Sequence, residues 1–599
     1  MMHVIATAGH VDSGKSTLVR ALTGMEPDRW EEERRRGLTI DLGYAWTTLP
    51  SGRDVAFVDV PGHERFLGNM LAGIGPAPVV CFVVAADEGW QAQSGDHRDA
   101  VVALGIEHGL IVLSRSDRAT EQRRAEVLAR ARAELAGTGL RDAPAVAVSA
   151  IGGTGLGDLR AALDDVLARV PAPALTGRVR LWVDRSFTIT GSGTVVTGTL
   201  AAGTLARGDR LMLLGDATER PVAIRGLQSC DTARTSVEPV SRVALNLRDV
   251  GPAEIHRGDV LVTPDAWPTT AVVGIQRASG LEYTEVPENI MVHVGTAAVP
   301  ARLRPFGADL ARLVLDRALP LVLGDRLVLR DPGRHSVLGG ARILDADPPE
   351  LLRRGDGAKW ARRLAAMDPA GDLAGAVAAR GAVREDHLRR LGLLTGQDPA
   401  GFDDIHVMGD WWVHAPVLET WQQRLRTAVE ELRERDPLAP GLSMGAAAGL
   451  LSLPDERLLP HVIEGATLEA AAGHVRVPGS RDDLGAAEPA VAEIERRLAA
   501  DPFHAPEADD LATLRLGSRE LAAAERAGRL LRLRDGVVLL PSAPALAMRA
   551  LARLDQPFTT SQARQALDTT RRIAVPLLEH LDSRGWTRRL DAGHRTVVR

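Results

Sequence analysis

Gly9-His10-Val11-Asp12-Ser13-Gly14-Lys15-Ser16 follows the apolar run Val4 to Ala8 and precedes the helix-like stretch Thr17 to Gly24. Strand, G-x-x-x-x-G-K-[ST], helix is the order of a phosphate-binding loop. A triphosphate held by main-chain N–H groups comes closer than a Cβ allows, hence Gly9 and Gly14, and the helix that follows offers its N-terminus to the anion. Lys15 reaches the β and γ phosphates as a point charge, and the Ser16 hydroxyl suits Mg²⁺, which prefers hard oxygen donors. The candidate nucleotide-binding residues in this stretch are Asp12, Ser13, Gly14, Lys15, Ser16 and Thr17. Lys15 and Lys359 are the only two lysines among 72 Lys+Arg residues. Where arginine has replaced nearly every interchangeable lysine, the survivor in the loop is there for its compact ammonium.

At 599 residues the chain exceeds a single core, and about three to five domains are expected. Hydrophobic content of 45%, charged content of 25% and a mean hydropathy near zero describe an ordinary soluble globular protein. No apolar run reaches the length of a membrane span, and the N-terminus enters strand and loop without a leader-like pattern, so a cytoplasmic protein is expected. Cys81 and Cys230 make no disulfide framework and lack metal-ligand spacing, which leaves them as core or surface thiols. A net charge of -6 argues against a uniformly basic nucleic-acid binder and leaves room for local basic patches.

Residues 1–172 alternate apolar runs (Val55–Val58, Val79–Ala86, Leu110–Leu113, Ala145–Val148) with helical patterns near 63–73, 94–106, 120–137 and 155–168. This is the signature of a doubly wound, mostly parallel sheet, whose ligand sits at the carboxyl ends of the strands. Asp59-Val60-Pro61-Gly62-His63 emerges at that edge. Asp59 can hold Mg²⁺ through water, Gly62 can give its N–H to a γ-phosphate, and His63 is the candidate catalytic residue that orients an attacking water.

Gly9 to Ser16, Thr39, Asp59 to His63, Asp117 and Ser149-Ala150 stand in the order of the five guanine-nucleotide motifs, and the GHVD and DVPGHE wording resembles the translational GTPases. The resemblance implies that Thr39 closes over Mg²⁺ and the γ-phosphate, that Ser149 and Ala150 complete the base pocket, and that Asp117 accepts both donors of the guanine edge. The guanine motif departs from the family pattern: Ser114-Arg115-Ser116-Asp117 replaces Asn or Thr followed by Lys. A planar Arg115 can stack on the base as the lysine stem does.

From Arg178 the pattern changes to short β-rich runs with Gly and Asp turns, which predicts one barrel over 173–266 and a second over 267–345. Gly37-Leu38-Thr39-Ile40-Asp41-Leu42-Gly43-Tyr44, Val183 to Phe187, Gly193 to Thr199 and Ser241 to Asn246 resemble the selenocysteine-specific elongation factors. The resemblance implies an aminoacyl pocket between the first two domains, at the matching positions Tyr44, Asp184, Arg185 and Arg242. A selenol ionises below neutrality while a cysteine thiol has a pKa of about 8.5, so fixed cations can tell the two apart by charge.

Residues 346–599 alternate Ala- and Leu-rich helices with brief β pairs at 406–414, 473–477, 531–540 and 587–598. A unit of helices and a small hairpin recurring at roughly sixty residues reads as a winged helix-turn-helix. Four modules are expected, near 372–436, 437–480, 486–541 and 542–599, as an arm that binds an mRNA hairpin by the same resemblance. Asp345–Arg354, 436–440 and 477–488 are candidate hinges. From Thr570 onward stand arginines 571, 572, 584, 588, 589, 595 and 599, against Glu579, Asp582 and Asp591. Arg571, Arg572, Arg584, Arg588, Arg589, His594 and Arg595 are the candidate RNA contacts, with Trp586 and His594 as stacking planes.

The fold class expected is therefore multidomain: an α/β P-loop GTPase domain, two β-barrels and C-terminal α+β tandem winged-helix domains. The resemblance implies a monomeric GTPase using GTP and Mg²⁺ to deliver selenocysteinyl-tRNA to the ribosome at UGA codons marked by an mRNA hairpin, with no membrane partner. The alternatives are another translational GTPase carrying a different tRNA, and a winged-helix nucleic-acid-binding regulator with a GTPase switch.

Overall fold

The structure, a computed structural model, describes residues 2–27, 39–189, 193–216, 218–333, 336–369, 371–394, 401–479 and 484–598. Gly37, Leu38, Arg599 and part of the 477–488 stretch lie outside them. The chain divides into two compact units, Met1–Phe402 and Asp403–Arg599.

The first unit opens with strands β1 (Met2–Ala8), β2 (Gly43–Thr48), β3 (Asp54–Asp59), β4 (Val79–Ala85), β5 (His108–Ser114) and β6 (Ala145–Ala147). Its helices are α1 (Lys15–Thr23), α2 (Leu67–Ile74), α3 (Ala92–Leu104), α4 (Glu121–Leu135) and α5 (Leu156–Leu167). The sheet order is β2-β3-β1-β4-β5-β6, parallel except for the β2–β3 pair. Side chains alternate across it: Val4, Ala6 and Ala8 join the core under α2, α3 and α4, whereas Ile5 joins Leu18 and Leu159 under α1 and α5. Covered on both faces, the central strands read as unbroken apolar runs. β2 was not among the expected strands, because Gly43-Tyr44-Ala45-Trp46-Thr47-Thr48 is a partly exposed edge without such a run.

Six strands close the first barrel, the ring running through Arg180–Ile189, Gly193–Leu200, Ser241–Leu247, Glu219–Ser229, Arg210–Leu214 and Val260–Val262. The second is a closed six-stranded barrel between Thr270 and Asp345. The barrels are joined by Arg180, which grips Asp325 at 2.6 and 2.7 Å, and by Thr296, which donates to the Val183 carbonyl at 2.6 Å. Barrel two lies against α3 so closely that a Cβ on Gly340 would come within 2.5 Å of the Ala103 Cα. The helix Asp356–Ala366 also belongs to this unit, with Trp360 and Leu364 packed against Leu344. Asp345 and Asp347, in the first candidate hinge, accept from Arg380 and His387.

In the second unit the expected wings are present as antiparallel hairpins: Ile405–Met408 with Trp411–His414, Glu469–Ala471 with His474–Arg476, Leu531–Arg532 with Val538–Leu539, and Thr587–Arg589 with His594–Val597. One apolar core runs from Leu484 to Leu581, so the elements beyond 484 share their buried residues instead of stringing out as separate beads.

Candidate functional site

At the carboxyl end of β1, Gly9 has φ +133° and a Cβ there would meet the Val83 carbonyl oxygen at 2.1 Å. No other residue fits. Gly14 caps α1 in the left-handed region. Lys15 Nζ donates to the Gly9 and His10 carbonyls at 2.9 and 2.7 Å, which holds the ammonium inside the loop. Ser16 Oγ donates to Asp59 Oδ2 at 2.6 Å and lies 3.0 Å from Thr39 Oγ1. Asp59 is fully buried and its other oxygen accepts from Thr7 at 2.8 Å. Ser16, Thr39 and Asp59 thus bring three hard oxygen donors together, a set that fits Mg²⁺. A Cβ on Gly62 would lie 2.5 Å from the Val11 nitrogen and 2.6 Å from Lys15 Nζ, so the D-x-P-G-H backbone sits directly on the loop.

Gly14, Lys15, Ser16, Thr39 and Gly62 line a cavity of about 710 Å³, together with Asp12, Thr17, Ser114, Arg115, Asp117 and Ala150. Ser13, Asp59 and Ser149 stand behind its wall. Ser114 Oγ donates to the Ser13 carbonyl at 2.5 Å, tying the guanine motif to the phosphate loop. Arg115 is fixed by Glu88 at 2.6 Å and by the Asp12 carbonyl. Hydrogen bonding from Ser149 holds the exposed Asp117 carboxyl below the usual aspartate range, leaving an anionic acceptor at the mouth of the cavity. His63 is not a wall residue: its Nδ1 accepts from the Arg65 nitrogen at 3.1 Å, capping a short turn.

Sequence reasoning missed His97. It is buried on α3, its Nδ1 accepts from the Gly9 nitrogen at 3.1 Å, and the Gly62 backbone is its other partner. Burial, helped by the Lys15 charge, drives its pKa well below the ordinary histidine value, so it is a neutral link between the Gly9 loop and the Gly62 segment.

Tyr44 carries the second site. β2 presents it to the first barrel, where the Arg242 and Arg185 guanidiniums lie over its ring at 4.0 and 4.8 Å. All three line a cavity of about 280 Å³ with Phe187, Thr197 and Cys230. Asp184 stands behind, paired with Arg242 and accepting from Thr197 at 2.6 Å. Burial opposes its ionisation, but the Arg242 guanidinium, the Thr197 hydroxyl and the Arg185 charge together outweigh burial and keep the carboxyl below its ordinary value. Arg185 donates to the Leu42 carbonyl and lies 3.6 Å from Asp41. Arg257, a residue the motifs did not flag, pairs with Asp41 at 2.5 Å. Three arginines against Asp41 and Asp184 leave the cluster one positive charge in excess.

The structure divides the candidate RNA contacts into two groups. Arg571, Arg584 and Arg588 are exposed, with Trp586 beside them. Arg572 reaches back to Glu507 at 3.3 Å, Arg589 donates to the Asp591 carbonyl at 3.0 Å, and His594 is 3.1 Å from the Asp591 carboxylate. Arg595 is buried, 2.8 Å from Asp582, and holds the wing on the helix Arg571–Ser583.

The Elongation factor Tu GTP binding domain matches residues 1–169, the Selenocysteine-specific elongation factor beta-barrel domain residues 276–350, and the Elongation factor SelB winged helix residues 549–596. A selenocysteine-specific elongation factor of Escherichia coli (strain K12) is 34% identical over 479 residues, covering 77% of this chain and 75% of the relative. One from Desulfomicrobium baculatum is 33% identical, over 57% of this chain and 55% of its own. The fold is shared over the whole length with the crystal structure of a bacterial selenocysteine-specific elongation factor, at 23% identity and a TM-score of 0.76. With its GTP-binding loop, two barrels and winged-helix arm, the chain belongs to the selenocysteine-specific elongation factors, a family of GTP hydrolases related to elongation factor Tu.

Proposed function

We propose that this protein delivers selenocysteinyl-tRNA to the ribosome at UGA codons specified by an mRNA hairpin, and that GTP hydrolysis releases the tRNA. The observation that carries this reading is the Tyr44 ring under two guanidiniums, Arg185 and Arg242, in a cavity between the nucleotide domain and the first barrel. Fixed positive charge on an apolar floor suits a selenolate and disfavours a neutral hydroxyl or thiol.

In this reading Ser16, Thr39 and, through water, Asp59 would hold Mg²⁺, which would supply charge neutralisation at the bound phosphates. Lys15 exchanges its loop carbonyls for phosphate oxygens, Gly62 gives its N–H to the γ-phosphate, and Asp117 selects guanine. His63 leaves its Arg65 contact on ribosome docking and orients the attacking water, so that catalysis comes from positioning and electrostatics. Arg571, Arg584, Arg588 and Trp586 meet the RNA, with Arg572, Arg589, His594 and Arg595 shaping the surface behind them. The domain limits at 172, 266 and 345, the four arm modules, a monomeric state and a cytoplasmic location belong to the same proposal. Among the described residues no helix is long and apolar enough to cross a membrane.

The test is protection of the aminoacyl ester. With GTP present the protein should slow hydrolysis of selenocysteinyl-tRNA and leave seryl-tRNA at its free rate; equal protection of both refutes the reading.

A further inference from the structure

Arg257 lies on the turn before the last strand of the first barrel, outside every recognised motif, yet its three nitrogens each bind a different part of the molecule. Nε donates to the Asp184 carbonyl at 2.8 Å, Nη1 to Asn69 Oδ1 at 2.7 Å and Nη2 to Asp41 Oδ1 at 2.5 Å. Asp41 stands two residues after Thr39, Asn69 lies on α2 just beyond Asp59 to His63, and Asp184 backs the Tyr44 cavity. Asn69 in turn donates to the Ile40 carbonyl at 2.9 Å. A continuous path therefore runs from Ser16 through Thr39, Ile40 and Asn69 to Arg257, and on through Asp184 to Arg242 and Tyr44.

We infer that Arg257 is the positioning residue that couples the nucleotide state to the aminoacyl pocket, an inference that rests on the function proposed above. A ligand shifts an equilibrium only through contacts that differ between two states. The γ-phosphate acts on Thr39 and Gly62. Arg257 grips the segments following both, Asp41 after the first and Asn69 after the second. When the two segments are drawn in, Arg257 satisfies all three acceptors and fixes the Asp184 backbone, which sets Arg242 over Tyr44. When either moves away, a partly buried guanidinium loses a charge-assisted bond and the Asp184 segment loses its brace. The planar fork matters: a lysine ammonium brings the same charge but cannot span three acceptors on three elements.

Coupling is reciprocal, so it can be read from either ligand. The experiment measures the affinity of selenocysteinyl-tRNA with a non-hydrolysable GTP analogue and with GDP, and the affinity of the analogue with and without the tRNA, in the parent, Arg257→Gln, Arg257→Lys and Asn69→Ala. The expected result is that all three variants keep the parent's GDP affinity in the absence of tRNA. Their ratio of tRNA affinities, analogue over GDP, falls by about 10-fold or more, within the ordinary range of allosteric couplings. The tRNA's enhancement of analogue binding falls by the same factor. A purely structural role would weaken tRNA binding equally in both nucleotide states and leave the ratio alone, and that result overturns the inference. A lysine variant that retains the full ratio overturns the fork argument. If the parent itself binds selenocysteinyl-tRNA equally in both states, it is the proposed function that falls.

Discussion

Selenol and thiol differ mainly in when they lose a proton, so pH is the perturbation that isolates the Tyr44 pocket's mode of recognition. A cysteine thiol of pKa about 8.5 is roughly 3% ionised at pH 7, whereas a selenol is already an anion. A pocket that binds only the anion therefore disfavours cysteinyl-tRNA by about 30-fold at pH 7, equivalent to about 2 kcal/mol, and by only about 2-fold at pH 8.5. The protein adds nothing to this change over that interval. Arginine stays charged; burial lifts the Tyr44 phenol and the Cys230 thiol above their ordinary values, and Asp184 is held below its own. Mutation is a blunter tool, since removing Arg242 strands Asp184, 3% exposed, at a cost of about 3–5 kcal/mol. The assay is equilibrium binding of selenocysteinyl- and cysteinyl-tRNA to the GTP-bound protein at pH 7.0, 7.75 and 8.5. The expected outcome is a cysteinyl affinity that climbs about tenfold per pH unit at first while the selenocysteinyl affinity stays level. A selectivity ratio that does not change with pH would refute recognition by charge.

Lys15→Ala removes the loop's one ammonium, and the loss of charge-assisted phosphate bonds worth about 1.5–3 kcal/mol each should weaken GTP binding at least about 10-fold and abolish ribosome-stimulated turnover; stopped-flow binding and phosphate release measure both. Acid should destabilise the first unit, because burial holds His97 well below its ordinary value and, with Arg330 adding to burial, His293 down to about 3. The unfolded chain then takes up the protons, so stability is intact above about pH 6.5 and declines by about 1.4 kcal/mol per pH unit per histidine as pH falls; urea titrations at pH 7.5 and 5.0 should show His293→Gln losing about 2 kcal/mol less than the parent. Replacing Arg588 with alanine should weaken hairpin binding across sequences and reduce the salt slope by about 1, while Arg595→Ala should lower the thermal midpoint of the arm by unmooring the wing from Asp582.

The phosphate loop was fully legible because its chemistry forces residue types at fixed spacing: Gly9 where any Cβ would strike Val83, Lys15 as one of two surviving lysines, Ser16 beside it. The central strands were legible because burial on both faces leaves an unbroken apolar run, and the wings because hairpins at regular intervals repeat. β2 escaped because half its side chains face outward. His97 and Arg257 escaped for another reason. Nothing in the order of residues tells that a histidine 88 positions from Gly9 accepts its N–H, or that an arginine 216 positions from Asp41 grips it. The sequence alone picked out the groups proposed to touch nucleotide, since backbone geometry and phosphate chemistry act locally. Only the tertiary structure decided which groups join the nucleotide site to the barrel, and which arginines of the arm are spent on internal partners, because hydrogen bonds between distant segments exist only once separate surfaces have packed.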